Sequence, residues 1–298
     1  MTAEEILKCW AVHGCYLDSS IAQPLMEESV IYLYNCDDCG FAFFNPRLEG
    51  TPQFYGALYT QLPVYYAIDS PENLRNTRYA VERGYRTVLD VGCGSGSALD
   101  NAKRAGLETY GIEPSPSAAT AASAKGHKIF PVLLEQMDAA WNGKFDLISF
   151  NQVLEHVSDP VGLIRGCVRL LSPRGVIAIT VPSATGMLGL CPWLEHNWPP
   201  HHLSRWKVKD FYRLANRTGL RVLKAGGQPL EGRDLKSILL EHRKRCLALN
   251  KPYYGLPPGL IRAGCFIYRL MALQHIFSSQ GHSVYCFLEH QNSKNSKV

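Results

Sequence analysis

The chain has 298 residues, of which 46% are apolar and 19% charged, so it can bury a core of ordinary size. The net charge of +5 is modest, and the absence of a long basic block argues against nucleic-acid binding. No apolar run reaches the about 20 residues of a membrane span, and the amino terminus MTAEEILKCW lacks the pattern of a secretory signal. We therefore expect a soluble, cytoplasmic protein with a small-molecule partner.

Changes in composition divide the chain into four predicted parts. Residues 1–48 form a small cysteine-rich module, and residues 49–84 form a helical cap or linker. Residues 85–230 alternate between predicted strands and helices. Residues 231–298 contain a helical insert and a last strand.

The alternating part predicts the fold class. Helices separate most of the apolar segments read as strands, which are RTVLDVG, ETYGIEP, KIFPV, FDLISFNQ, GVIAITVP, RVLKAGG and HSVYCFLEH. Such alternation is typical of an α/β fold with helices on both sides of the sheet. We expect a doubly wound, mostly parallel, seven-stranded Rossmann-like sheet, with the helical insert placed before its last strand.

A glycine-rich turn follows the first of these strands, in VLDVGCGSG at residues 88–96. Gly92, Gly94 and Gly96 leave backbone N–H groups open to a ligand at a helix amino terminus, although many tight turns use glycine for geometry alone. Glu113 follows the second strand, where an acid can accept hydrogen bonds from both hydroxyls of a ribose. The loop and the acid together indicate an adenosine-type cofactor.

The motif resembles motif I of the class I S-adenosylmethionine-dependent methyltransferases. Its glycines follow Asp90 in a G-x-G-x-G pattern, whereas nicotinamide sites use G-x-G-x-x-G. The stretch from FDLISF to ITVPS, residues 145–183, resembles the branch containing the ubiquinone-biosynthesis O-methyltransferases, and the resemblance covers roughly residues 60–230. It implies methyl transfer to a small-molecule acceptor. The alternatives are an NAD-type oxidoreductase and a non-catalytic cofactor-binding or scaffold protein.

The resemblance also implies roles for individual residues. Asp90 would organise the loop or hold the cofactor amino group through water, Glu113 would bind the ribose, and Leu134 would face the adenine. The residues expected beside the methionine moiety are Gly92, Cys93, Gly94, Asn151 and Gln152, with Gly96 completing the motif. Asn151 could instead bond only its own loop.

The acceptor side is predicted from two histidine-containing stretches. In QVLEH, Gln152 stands where the ubiquinone-type enzymes carry a carboxylate associated with a divalent metal, so metal-assisted catechol methylation is not expected. His156 could act as a base or only shape a turn. His201 and His202, in the aromatic stretch CPWLEHNWPPHHLSRW, could take a proton from the acceptor or merely cap the next helix.

The cysteines near the amino terminus suggest a structural zinc site. Cys36-x2-Cys39 followed by glycine has the spacing of one half of a zinc ribbon, and the expected ligand set adds Cys9 and Cys15, or His13 in place of Cys15. The alternative is a ribbon that has lost its metal, in which these thiols fill an apolar core.

The insert contains an unusually apolar predicted helix at residues 256–277, with Arg262 and Arg269 as its charges. We expect this helix to pack as a lid or pocket wall over the acceptor site in a monomer. A homodimer interface and reversible docking on a membrane are the alternatives.

Overall fold

A seven-stranded sheet organises the molecule. The computed structural model describes residues 1–62, 71–186, 191, 193–228, 232–251 and 283–291. The strands of this sheet are β3 (Thr87–Val91), β4 (Glu108–Ile112), β5 (Lys128–Phe130), β6 (Phe145–Asn151), β7 (Leu171–Pro182), β9 (Leu220–Gln228) and β10 (Ser283–His290). Their spatial order is β5-β4-β3-β6-β7-β10-β9. Strand β10 runs antiparallel to both of its neighbours, and the first five strands pair in parallel. The predicted fold class is confirmed.

Helices connect these strands. They are α4 (Pro71–Glu82), α5 (Ser97–Arg104), α6 (Pro116–Ala124), α7 (Pro160–Val168) and α8 (Val208–Thr218). Local sequence signals explain several of their ends: the Asp159 side chain accepts a hydrogen bond from Gly162 N at the start of α7, and Gly219 ends α8 with a φ of 72°. The central strands are buried on both sides, as Leu89, Ile148 and Ile179 illustrate.

The amino-terminal part is mainly helical and has its own apolar core. It contains α1 (Ala3–His13), α2 (Ser19–Glu28), the antiparallel hairpin of β1 (Tyr32–Asn35) and β2 (Ala42–Asn45), and α3 (Pro52–Gln61). Thr2 and Glu5 form a capping box at the start of α1. Strand β8 (Ser204–Arg205) adds to the hairpin, and Trp198 joins its core beside Trp10, Phe44 and Phe54. The segment between β7 and α8 therefore packs against the amino-terminal part.

The carboxy-terminal insert is described only in its first portion. Helix α9 (Gly232–Ala248) belongs to it and contacts α1. The predicted apolar helix at 256–277 lies outside the described residues, so the lid remains a prediction. Within the residues that the structure describes, no helix is long and apolar enough to cross a membrane.

Candidate functional site

The glycine loop joins β3 to α5 through three left-handed residues. The φ angles of Gly92, Gly94 and Gly96 are 72°, 52° and 84°, a region in which other residues are strained. A Cβ built on Gly92 would lie 2.9 Å from Val153 Cγ2, so the loop also packs too closely for a side chain at that point. The turn is therefore tight, and the N–H groups of Gly92 and Cys93 donate to the carbonyl oxygen of Ile112 at 2.8 and 3.2 Å.

Gly96 offers a test of this packing. A Cβ at Gly96 would lie 2.9 Å from Cδ2 of His127, whose ring is held by Thr109 at 2.9 Å and Asp100 at 3.0 Å. We expect Gly96→Ala to lower the free energy of unfolding by about 1–2 kcal/mol for the φ and by a further 1–3 kcal/mol for the overpacking. Gly106→Ala is the matched control, because Gly106 has a φ of 83° and nothing within 4 Å of its built Cβ. Equal losses in urea unfolding of the two variants would contradict the packing argument.

Glu113 reaches the loop from the end of β4. Its Oε2 accepts a hydrogen bond from Gly94 N at 2.9 Å, and its Oε1 accepts one from Ser115 N at 2.8 Å. Burial raises the pKa of this carboxyl group, and the two backbone hydrogen bonds oppose that shift. The structure thus brings together the predicted loop and the predicted ribose-binding acid.

Asp90 is the buried centre of a polar chain at the carboxyl ends of β3 and β6. It accepts hydrogen bonds from Ser149 Oγ at 2.6 Å and from Asn151 Nδ2 at 3.3 Å. Asn151 in turn accepts a hydrogen bond from Asn76 Nδ2 at 3.1 Å. Burial raises the pKa of Asp90 to about 7, against the effect of its hydrogen bonds. Asn151 therefore bonds Asp90, the residue that precedes the glycines of the motif. Asn76 also belongs to this polar chain, although its sequence position gave no indication of that.

The pKa of Asp90 leads to a pH prediction. Because the folded-state pKa lies above the ordinary aspartate value of 3.8, the native state holds a proton that the unfolded chain releases between about pH 4 and pH 7. The wild-type protein should therefore lose stability relative to Asp90→Asn as the pH rises through this window. The difference in free energy of unfolding between the two proteins should change by on the order of a few kcal/mol, because each unit of pKa shift corresponds to about 1.4 kcal/mol. Urea unfolding of both proteins at pH 4.5 and 7.5 measures it, and a constant difference would contradict the assignment.

Arg75 is a second residue that the sequence analysis missed. Helix α4 places its guanidinium against the ends of three strands: Nη2 donates to Thr180 Oγ1 at 2.6 Å, Nη1 donates to Gln228 Oε1 at 2.9 Å, and the group lies 4.0 Å from the Tyr285 ring centroid. Its Nε has no hydrogen-bond acceptor among the described residues. Burial lowers the pKa of this arginine, with Glu72 opposing the shift. The only sequence signal was the polar segment NLRNTR in an otherwise ordinary helix.

Gln152 and Leu134 occupy positions that change their predicted roles. Gln152 has a φ of 58°, its backbone N–H donates to Thr180 O at 2.8 Å, and its amide Nε2 donates to Ser283 Oγ at 3.3 Å. An amide held in this way supplies no anionic ligand, so the hard-cation site of the ubiquinone-type enzymes does not fit here. The side chain of Leu134 is buried in the core, whereas the preceding Leu133 is 54% exposed. Leu134 therefore does not present its side chain to a ligand.

Three predicted histidines meet beyond the carboxyl end of the central strand β6. His156 ends a short 3-10 turn after β6, and its ring centroid lies 4.6 Å from that of His201 and 5.0 Å from that of His202. The His201 and His202 rings stack at 4.4 Å. Burial lowers the pKa of His156 to about 4 and that of His201 well below its ordinary range, so both rings are neutral near pH 7. Tyr55 Oη, from the amino-terminal part, lies 3.2 Å from His156 Nδ1.

The comparison with protein families decides the classification. The family described as a methyltransferase domain matches residues 62–225, which is more than half of the chain. The chain belongs to the methyltransferase domain family. The match includes the glycine loop, Glu113, Arg75 and all three clustered histidines.

The relatives of this methyltransferase domain differ in how far they match. The ubiquinone biosynthesis O-methyltransferase of Xanthomonas oryzae pv. oryzae is 33% identical over 157 residues, covering 45% of this chain and 65% of the relative. The enzyme of the same name from Alkalilimnicola ehrlichii is 28% identical over 157 residues, covering 45% and 64%. The chain thus matches less than two thirds of the length of these relatives.

Among solved structures, a methyltransferase of Thermotoga maritima shares the fold. It is described as S-adenosylmethionine-dependent and as a possible histamine N-methyltransferase, with a TM-score of 0.50, 14% identity and coverage of 80% of this chain and 94% of that one. At this level of identity the likeness concerns the fold alone.

The predicted cysteine ligands lie outside the methyltransferase domain, and the structure does not bring them together. Two groups of three or more potential ligands within 4.8 Å of one another occur in the described residues, and neither contains Cys9, Cys15, Cys36 or Cys39. Cys9 and Cys15 are fully buried, and Cys9 Sγ donates to Trp193 O at 3.4 Å. Burial raises the pKa of these two thiols to about 12 and about 11. Cys9 and Cys15 are therefore core residues here, and the predicted four-ligand zinc site is not assembled.

Proposed function

We propose that this chain binds S-adenosylmethionine and transfers its methyl group to a small-molecule acceptor. The observation that carries the proposal is the hydrogen bond from Gly94 N to Glu113 Oε2 at 2.9 Å, which unites a G-x-G-x-G loop with an acid at the end of the second strand. Membership of the methyltransferase domain family and the similarity to O-methyltransferases support it. We place the cofactor site in residues 85–230, covered by helices from residues 49–84.

Residues along the strand ends would bind successive parts of the cofactor. Each Glu113 oxygen uses one lone pair on a backbone N–H and keeps another for a ribose hydroxyl. The open turn from Gly92 to Gly94 would lie along the methionine moiety. We assign the methionine carboxylate to Arg75, because its half-buried guanidinium has no acceptor for Nε among the described residues and favours an anion. The exposed Leu133 is better placed than Leu134 to cover the adenine.

The acceptor would lie near His156, His201 and His202. Bound S-adenosylmethionine supplies a methyl group already activated by its sulfonium, so orientation of the nucleophile can provide most of the rate enhancement. The His156 and His201 rings are neutral near pH 7, so either ring could accept a proton from the acceptor. Tyr55 holds His156 from the amino-terminal side.

Two measurements test the proposal. Isothermal titration should show stoichiometric binding of S-adenosylmethionine and none of NAD. Incubation with a panel of phenols, carboxylic acids and amines should yield S-adenosylhomocysteine with at least one acceptor. Binding of NAD instead would support the oxidoreductase alternative, and S-adenosylmethionine binding without turnover on any acceptor would support a non-catalytic protein.

A further inference from the structure

The histidine cluster has the composition and spacing of a metal site. One ring nitrogen from each of His156, His201 and His202 lies within 4.8 Å of the other two. The rings come from two separate segments, the turn after β6 and the loop before β8. These segments are joined by a hydrogen bond from Leu203 N to Glu155 O at 2.7 Å. The cluster is therefore built by the tertiary fold and not by one helix face.

Backbone carbonyls orient two of the rings. His156 Nδ1 contacts the carbonyl oxygen of His201, and His201 Nδ1 lies 3.0 Å from the carbonyl oxygen of His196. A carbonyl oxygen only accepts hydrogen bonds, so each Nδ1 must carry the proton, and each Nε2 must carry the lone pair. This is the arrangement by which backbone groups orient metal-binding histidines in proteins.

Glu155 provides an independent observation. It is 1% exposed, and neither carboxylate oxygen has a hydrogen-bond donor within the part of the chain that the structure describes. Its Oε1 lies 3.7 Å from His156 Nε2. A buried carboxylate without donors is costly, and a cation beside it removes that cost.

We propose that His156, His201 and His202 bind one divalent transition-metal cation of the zinc or cobalt type, with the buried Glu155 carboxyl group beside His156 offsetting its charge. Three imidazoles suit such cations, whereas magnesium and calcium prefer oxygen ligands alone. Gln152 supplies no carboxylate here, and His201 and His202 supply imidazoles, so the site favours a cation that binds nitrogen ligands. A cation at this position would bind an acceptor oxygen as a Lewis acid, a role that rests on the proposed function, although the binding itself does not.

The second histidine group does not compete for the cation. His13, Glu195 and His196 also lie within 4.8 Å of one another. There, however, the fully buried guanidinium of Arg245 is bonded to Glu195, with Nε–Oε2 at 2.8 Å. The arginine already neutralises the carboxylate and repels a cation, so this group serves as a control.

Cobalt titration of the chelator-treated full-length protein tests the proposal. We expect about one equivalent of Co²⁺ to bind with visible ligand-field absorption and without the near-ultraviolet thiolate band that Cys36 and Cys39 would cause. His202→Asn should weaken binding by roughly 100-fold or more, because even loss of an outer-shell partner costs about 10–100-fold. His13→Asn should bind as the wild type does.

Several outcomes would overturn the proposal: no stoichiometric binding by the wild type, a thiolate spectrum, or unchanged affinity in both His201→Asn and His202→Asn. If circular dichroism shows that these variants are unfolded, the near-isosteric variant Glu155→Gln is used in their place. We expect Glu155→Gln to bind cobalt more weakly than the wild type, and unchanged affinity would contradict the proposal. Titration with S-adenosylmethionine is run separately. Binding of cobalt without binding of S-adenosylmethionine would contradict only the proposed function. Binding of S-adenosylmethionine without binding of cobalt would contradict only the metal site.

Discussion

Replacing Arg245 by Ala is expected to lower the free energy of unfolding by about 3–5 kcal/mol, the cost of leaving a buried charge without its partner. Arg245 and Glu195 are both fully buried, and two hydrogen bonds join them, Nε–Oε2 at 2.8 Å and Nη2–Oε1 at 3.0 Å. Burial acts to raise the pKa of Glu195, but His196 and Arg245 outweigh it and hold the pKa at about 2. The carboxylate is therefore charged at neutral pH, and Arg245 is the fully buried cation bonded to both of its oxygens.

Chemical denaturation of Arg245→Ala and of Lys244→Ala tests this expectation. Lys244 is the adjacent residue on α9, pairs with Glu241 at 2.6 Å, and is 61% exposed, so its loss should cost less than about 1 kcal/mol. The double variant Glu195→Leu, Arg245→Met should recover much of the stability, because an apolar pair leaves no charge unpaired. Equal losses in the two single variants would contradict the argument.

Replacing Glu113 by Ala is expected to weaken S-adenosylmethionine binding about 10- to 150-fold, or about 1.5–3 kcal/mol for hydrogen bonds to a charged group. The variant would lose the proposed ribose acceptor and also the bonds to Gly94 N and Ser115 N that hold the loop. Isothermal titration measures the change. Glu108→Ala is the control, because Glu108 begins the same strand, is 60% exposed in its side chain, and lies at the opposite end of the sheet. Unchanged affinity in a folded Glu113 variant would exclude the ribose assignment.

The local pattern of the chain was enough to predict the sheet and the cofactor end of the site. Apolar strands alternating with helices, the positions of Gly92, Gly94 and Gly96, and an acid at the end of the next strand are all properties of short segments. Parallel strands carry their carboxyl ends to one edge, so the approach of Gly94 and Glu113 follows from topology alone. The sequence did not show that the side chain of Leu134 is buried while that of Leu133 is exposed, because the short turn that orients them lies beyond the strand pattern.

The cysteines show why spacing alone was insufficient. The spacing of Cys36 and Cys39 suggested half of a zinc ribbon, and Cys9 and Cys15 extended that pattern to a four-ligand metal site. In the structure, Cys36 and Cys39 lie in the turn of the hairpin of β1 and β2. A thiol is also a small apolar group, and the sequence does not distinguish a ligand from a core residue. Both side chains are fully buried in the structure, and Cys15 belongs to the apolar core that contains Trp10, so these two positions are core positions.

By itself, the sequence determined the fold class, the glycine loop, the acid that meets it and the family resemblance, because each depends on residues close together in the chain. Only the tertiary structure decided that Arg75 and Asn76 complete the strand-end network, that Arg245 neutralises Glu195, and that His201 and His202 lie beside His156. These contacts join residues 45 or more positions apart. The packing of helices and loops on the sheet determines which of these distant residues meet. The order of residues along the chain does not specify that packing directly.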